Sequence, residues 1–187
     1  MGRPRESIDC GDFTLRRWRG QEDLAAALAL IEESLEHLRP WETWIDGYDE
    51  EFTRGFLDRA GARWDEGEVF NYAVAAGDGT LLGMCQAYRG ADPRGPRLGY
   101  WLHPAATGRG FATRAAAALT AEVFALPDVE FVEIAHDLAN TASAAVPRRL
   151  GFREVRRGPV APPVAPAGSG TEVVWRLERP ADAPRPG

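Results

Sequence analysis

Lysine is absent from this 187-residue chain, and all 22 basic residues are arginine. A phosphate loop of the Gly-Lys-Ser/Thr type sets a lysine against the phosphates, so that class is excluded. Cysteine is scarce: Cys10 and Cys85 stand alone, neither with a second cysteine or a histidine at metal-ligand spacing. That excludes a disulfide framework and a structural zinc, and it points to a reducing, cytoplasmic setting. Long apolar runs are missing too. The longest, Leu24 to Ile31, is followed at once by Glu32 and Glu33 and is too short to cross a bilayer. The N-terminal "MGRPRESIDCGD" has no apolar segment behind it, so neither a secretory signal nor a membrane partner is expected. No internal repeat is visible.

What is present suits one globular domain, expected over residues 1–179, with a disordered tail at 180–187. The net charge of -6 is unevenly placed. Between Trp41 and Glu68 nine acids face three arginines, so this segment alone accounts for -6 and the remainder is neutral. Such a field repels nucleic acid and suits a cationic substrate, although a solvated helix face has the same composition.

Hydrophobic spacing predicts a strand over Phe13–Trp18, a helix from Glu22 or Asp23 to Leu38 that stops at Pro40, and a second helix over Asp49–Trp64. "EVFNYAVAA" and "TLLGMCQAYR" read as strands joined by the Gly77–Gly79 hairpin turn, and "RLGYWL" as a fourth strand. An alanine-rich helix follows, then the strand "VEFVEIAHD", then a helix over Thr141–Leu150 that Pro147 is expected to kink or shorten. "FREVR" and "TEVVWRL" close the chain as two strands, separated by the proline-rich "GPVAPPVAPAGSG", expected to be a mobile loop. This order implies an α/β (α+β) domain, a mixed sheet of about seven strands with helices on both faces.

The chemistry concentrates in "GYWLHPAATGRGFATRAAAALTAEVF", Gly99 to Phe124. It feeds a strand through a glycine turn into a helix N-terminus, where unpaired amides and the positive end of the helix dipole suit a phosphate or pyrophosphate. A dinucleotide fingerprint needs a third glycine where Thr113 stands, and it belongs near a first strand. The stretch "LGYWLHPAATGRGFATRAAAAL" instead resembles the acetyl-coenzyme A motif of the GNAT N-acetyltransferases, and within them the RimJ/RimL branch. "NTASAAVPRRLGFREV", Asn140 to Val155, is similar to that branch's N-x-x-S helix, and "SLEHLRPWETW", Ser34 to Trp44, to its first-helix ending.

The resemblance implies a sheet that splays between its fourth strand, Leu98 to His103, and its fifth, Val129 to Ala135, with the pantetheine arm of acetyl-CoA in the gap. It places the cofactor on Trp101, Leu102 and His103, on Thr107, Gly108, Arg109, Gly110, Phe111, Ala112 and Thr113, and on Asn140 and Ser143 near the thiol. Trp41, Glu42 and Trp44 are expected to bind the acceptor amine, and no metal is expected. Three departures stand out. Thr107 occupies the place of the usual Gln or Arg, no tyrosine follows the N-x-x-S region to protonate the thiolate, and Arg97-Leu98 replaces a glutamate proposed as base in the branch. The remaining candidates for the base are Glu133, His136, Asp137 and His103, with Glu133 placed first and Ser143 as a proton donor to the thiolate. A backbone N–H near Trp101 or Leu102 is expected to hold the oxyanion.

Two readings stay open on sequence alone. One is an acetyl-CoA-dependent N-acetyltransferase acting on an amine-bearing small molecule or a peptide N-terminus, as a monomer or homodimer. The other is a non-catalytic acyl-CoA-binding module that has lost its base.

Overall fold

A computed structural model describes residues 2–181. Its centre is one sheet of eight strands: β1 (Ser7–Asp9), β2 (Phe13–Arg17), β3 (Val69–Ala76), β4 (Leu81–Tyr88), β5 (Arg97–Leu102), β6 (Phe131–Asp137), β7 (Arg153–Pro159) and β8 (Thr171–Glu178). They lie in the order β1-β2-β3-β4-β5-β6-β8-β7, antiparallel throughout except for β5 beside β6. The sheet is mixed, as expected, with one strand more than the seven anticipated. The addition, β1, is three residues long with only Ile8 buried, too short for alternation to reveal.

Among the described residues five α-helices cover the sheet: α1 (Leu24–Glu32), α2 (Leu35–Leu38), α3 (Glu50–Asp65), α4 (Phe111–Phe124) and α5 (Thr141–Arg149). The single helix expected to end at Leu38 is broken in two. At the break Ser34 is fully buried and its hydroxyl donates to the Leu30 carbonyl at 2.6 Å, a local bond that competes with a continuous helix. Asp49 starts α3 by accepting the Phe52 N–H at 2.8 Å.

The two faces of the sheet have separate cores. On one, Phe70, Tyr72 and Val74 of β3 with Leu98, Val132 and Ile134 pack against Ala115, Leu119 and Val123 of α4, whose small residues let the helix approach closely. On the other, Trp18, Ala73, Ala75 and Leu81 pack against Ala27 and Leu30 of α1 and Leu57 of α3. Asp23 locks this second layer in place. It is 1% exposed and its carboxylate meets the guanidinium groups of Arg16 and Arg19 at 2.7 and 2.9 Å.

Two further expectations change. Pro147 lies inside α5, which runs unbroken to Arg149. The proline-rich segment expected to be mobile is tethered instead: the Ala167 N–H donates to the Pro40 carbonyl at 2.9 Å, and the Asp137 carboxylate accepts from the Ser169 and Gly170 amides at 2.8 and 3.1 Å. Of the tail expected to be disordered, residues 182–187 lie outside the described residues. Among the described residues no helix is long and apolar enough to cross a membrane.

Candidate active site

The sheet opens along one seam. β5 and β6 pair only at Arg97 with Glu133 and Leu98 with Ile134, and from Gly99 onward β5 has no partner on that side. The His103 N–H reaches back to the Leu82 carbonyl at 2.8 Å, whereas the Glu133 N–H crosses from β6 to the Pro96 carbonyl at 3.0 Å. Backbone groups alternate sides along a strand, so those of Tyr100 and Leu102 face the gap. They form a ledge that an extended ligand can join as a strand does. The gap continues into a cavity of about 890 Å³ that reaches both faces of the sheet.

At one end of the cavity lies the glycine turn. Gly108 and Gly110 have φ of +71° and +79°, in the left-handed region that favours glycine, and open space lies where side chains would be. The Arg114 N–H bonds the Gly110 carbonyl at 3.0 Å as the first turn of α4 closes, so the amides before it have no helical acceptor. Thr107, Phe111, Ala112 and Thr113 line the cavity with the two glycines. Arg109 and His103 stand outside its wall. The Arg109 guanidinium lies over the Phe111 ring at 4.9 Å, and Arg114 is committed to Asp12 at 2.6 Å. Backbone, rather than a cation, dominates this end.

Asn140 and Ser143 come together at the middle of the cavity. Asn140 caps α5, its Oδ1 accepting the Ser143 N–H at 3.0 Å. The Tyr100 hydroxyl donates to the Ser143 carbonyl at 3.2 Å and lies 3.4 Å from the Ser143 hydroxyl. Pro147 explains why that carbonyl is available: four residues on, where a helix would supply an N–H, proline has none. Burial, partly offset by Ser143, pushes the Tyr100 phenol up to about 12, so it stays protonated at neutral pH. The resemblance calls for a tyrosine after the N-x-x-S region; none follows it, and the tyrosine beside Ser143 comes from β5, forty-three residues earlier.

The far end is aromatic and acidic. Trp41, Glu42 and Trp44 line it with Phe52 and Phe56 of α3. The Trp44 and Phe52 rings stack at 5.3 Å, and the Trp44 Nε1–H donates to Glu42 at 3.0 Å. Burial pushes the Glu42 carboxyl above the usual carboxylate range, against the opposing effect of the Trp44 donor. Glu42 is therefore a carboxylate on the wall poised to take a proton.

The expected base is placed differently. Glu133 is 9% exposed and absent from the cavity wall, and its carboxylate meets Arg176 at 2.8 Å and Arg97 at 3.3 Å. His136 lines the cavity, but its Nε2 accepts from Trp175 Nε1 at 2.9 Å, which leaves Nδ1–H to donate to the Asp137 carbonyl at 2.7 Å. Both nitrogens are thereby used. His103 is engaged in the same way, its Nδ1 accepting from Ala105 and its Nε2 against Glu33. Burial works to raise the Asp137 pKa, but donors from Ser169, Ala139 and Gly170 outweigh it and hold the group low, which makes a weak base. Among the described residues no group of three or more His, Cys, Asp or Glu is arranged to hold a metal ion.

Comparison with known proteins agrees with this geometry. The family model described as acetyltransferase (GNAT) domain matches residues 12–153. Among solved structures, a RimL ribosomal L7/L12 α-N-protein acetyltransferase in complex with coenzyme A superposes with a TM-score of 0.84 at 19% identity, covering 95% of this chain and 100% of its own. RimJ of Mycobacterium smegmatis, in complex with a CoA-disulfide, gives a TM-score of 0.76 at 25% identity over 95% of this chain and 86% of its own. The microcin C7 self-immunity acetyltransferase MccE, in complex with acetyl-CoA and AMP, gives 0.82 at 16% identity over 92% and 96%. No curated protein sequence matches.

Proposed function

We propose, on the premise that the chain belongs to the GNAT acetyltransferase family, that it moves the acetyl group of acetyl-CoA to a primary amine of a small metabolite or a peptide N-terminus by direct attack. The observation that carries this reading is the single cavity joining three parts: an amide-rich glycine turn, an unpaired strand ledge, and a half-buried carboxylate among aromatic rings. The residues fit the co-substrate. Amides of Gly108 to Thr113 offer a cradle for a pyrophosphate, and the Tyr100–Leu102 ledge offers strand-like hydrogen bonds to a pantetheine amide. Acetyl-CoA supplies the activated acyl group as a thioester.

An acceptor amine with a pKa near 10 is almost wholly protonated at pH 7 and must lose a proton before it can attack. Glu42 pairs with that ammonium and takes the proton, a role its raised pKa suits. The Leu102 N–H faces the gap and stabilises the oxyanion as the C–N bond forms. As the C–S bond breaks, the Tyr100 hydroxyl, with Ser143 beside it, protonates the departing thiolate. Glu133 holds the base of the splay through its two arginines.

Calorimetric titration with acetyl-CoA tests the cofactor half of this reading. One-to-one binding that inorganic pyrophosphate weakens is expected, and the absence of binding would overturn it.

A further inference from the structure

Between Trp41 and Glu68 the chain carries nine acids and three arginines, yet the cavity meets the opposite balance. Among the described residues of this segment Glu42 is the only acid on the wall, and the other acids are exposed to solvent. Two of the three arginines, Arg59 and Arg63, line the cavity, whereas Arg54 lies outside it and pairs with Glu50. Helical spacing is the cause. Phe52, Phe56, Arg59 and Arg63 of α3 stand three or four residues apart and form one stripe along the cavity, and Glu51, Asp58 and Asp65 fall on the opposite side of the helix.

Two features of this stripe are unfavourable without a ligand. Arg59 and Arg63 are four residues apart, a spacing at which like charges on a helix repel. Among the described residues Arg59 makes no ion pair or hydrogen bond, and Arg63 uses only its Nε, at 3.3 Å from Glu68. Gly55 lies inside α3, where glycine is less stable than alanine, and no positive φ calls for it. The three atoms nearest to a Cβ there all belong to the Arg59 guanidinium, the first of them Nη1 at 2.9 Å. The glycine thus leaves room for that guanidinium against the helix. Neither acid on the wall neutralises the two arginines: Glu42 accepts the Trp44 N–H, and Asp137 accepts the amides of Ala139, Ser169 and Gly170.

We propose that Arg59 and Arg63 form an anion subsite, and that the acceptor carries a carboxylate or a phosphate ester as well as the amine that is acetylated. Guanidinium groups grip the oxygens of either anion in a two-pronged fork, and such pairs strengthen where apolar surface excludes water. The rings of Phe52 and Phe56 on the same stripe supply that surface. The ammonium goes to Glu42 and the anion to the arginines, which fixes the acceptor at two points on one wall. The proposal rests on the reading of this cavity as an amine acetyltransferase site.

The test measures kcat/KM for the amidated dipeptides Ala-Asp, Ala-Asn and Ala-Lys, and for O-phosphoethanolamine against ethanolamine. Within each set the amine is the same and the charge beside it changes. At least one anionic acceptor should exceed its neutral partner by about tenfold or more, Ala-Asp if the site takes a carboxylate and O-phosphoethanolamine if it takes a phosphate. Arg59→Gln with Arg63→Gln should bring that ratio close to one, and Arg59→Glu with Arg63→Glu should turn the preference to Ala-Lys. Gly55→Ala should raise Tm and still lower the ratio, because the methyl group displaces the Arg59 guanidinium. Independently of turnover, calorimetric titration of the two anionic amines, with coenzyme A already filling the glycine turn, should show binding that the double glutamine variant weakens at least about fivefold. Turnover without a preference for an anion would overturn the subsite and leave the transferase reading standing. Arginine-dependent binding of an anionic amine, with no acetylation of any of the five acceptors, would support the subsite and overturn the transferase reading. Anion selectivity in neither measurement would overturn the subsite.

Discussion

Replacing Tyr100 by phenylalanine removes one hydroxyl and keeps the ring. That hydroxyl donates to a Ser143 carbonyl whose helical donor is missing because residue 147 is proline. In the natural chain Tyr100→Phe therefore strands a part-buried carbonyl, at a cost of about 1–3 kcal/mol. For a chain of this size the corresponding fall in Tm is roughly 2–12 °C. In a Pro147→Ala background the backbone regains an N–H at that position, which can close the helical bond to the same carbonyl, and the cost of Tyr100→Phe should drop below about 0.5 kcal/mol. A double-mutant cycle by urea unfolding should thus give a coupling of about 1–2 kcal/mol between two residues whose side chains share only that carbonyl. Catalysis should behave otherwise: loss of the thiolate's proton donor lowers kcat by about 10-fold to 100-fold in both backgrounds. An equal stability cost in the two backgrounds would refute the account of the freed carbonyl. An unchanged kcat would refute the role of Tyr100 as acid.

Three other outcomes are expected. Glu42→Gln keeps an acceptor for the Trp44 N–H but cannot take a proton, so kcat/KM at pH 7 should fall about 100-fold, and the acidic limb of the pH–rate profile that Glu42 sets should disappear. Loss of less than about threefold would remove Glu42 as base. Glu133→Gln should leave kcat within about threefold and lower stability by about 1–3 kcal/mol in urea unfolding, because Arg97 and Arg176 lose a shared charge; a large kcat loss with intact stability would return the catalytic role to it. Asp23 is buried, which alone would raise its pKa, but Arg16 and Arg19 outweigh that and lower it from 3.8 to about 2. A depressed folded-state pKa stabilises the fold above the unfolded value, so its contribution of about 2 kcal/mol should be complete above pH 5 and vanish as pH falls from about 4 to 2. Asp23→Asn should remove that part of the acid dependence, as urea unfolding at pH 3 and pH 6 would show.

The sheet was largely legible because hydrophobic alternation and the Gly77–Gly79 turn are local signals. β1 was not, since three residues carry no period. The glycine turn was legible for the same local reason: Gly108 and Gly110 advertise positive φ and an open helix start. The machinery around it was not. Tyr100 and Ser143 lie forty-three residues apart, and only the packing of α5 against the splayed end of β5 joins them. Glu133 looked like a base because strand five borders the gap, but sequence cannot show that two arginines from β5 and β8 hold it.

Transfer between acetyl-CoA and an amine held in one cavity is the step on which the assignments of Glu42, Leu102 and Tyr100 depend. Its most direct test is mass spectrometry of the acceptor, with coenzyme A thiol release followed in parallel, across amino alcohols, amino amides, polyamines, aminoglycosides and short peptides. Stoichiometric thiol release and an acceptor heavier by one acetyl group are expected in at least one class, with both signals lowered by Glu42→Gln. Tight acetyl-CoA binding with no acetylated product from any class would contradict it, and would identify the chain as an acyl-CoA-binding module.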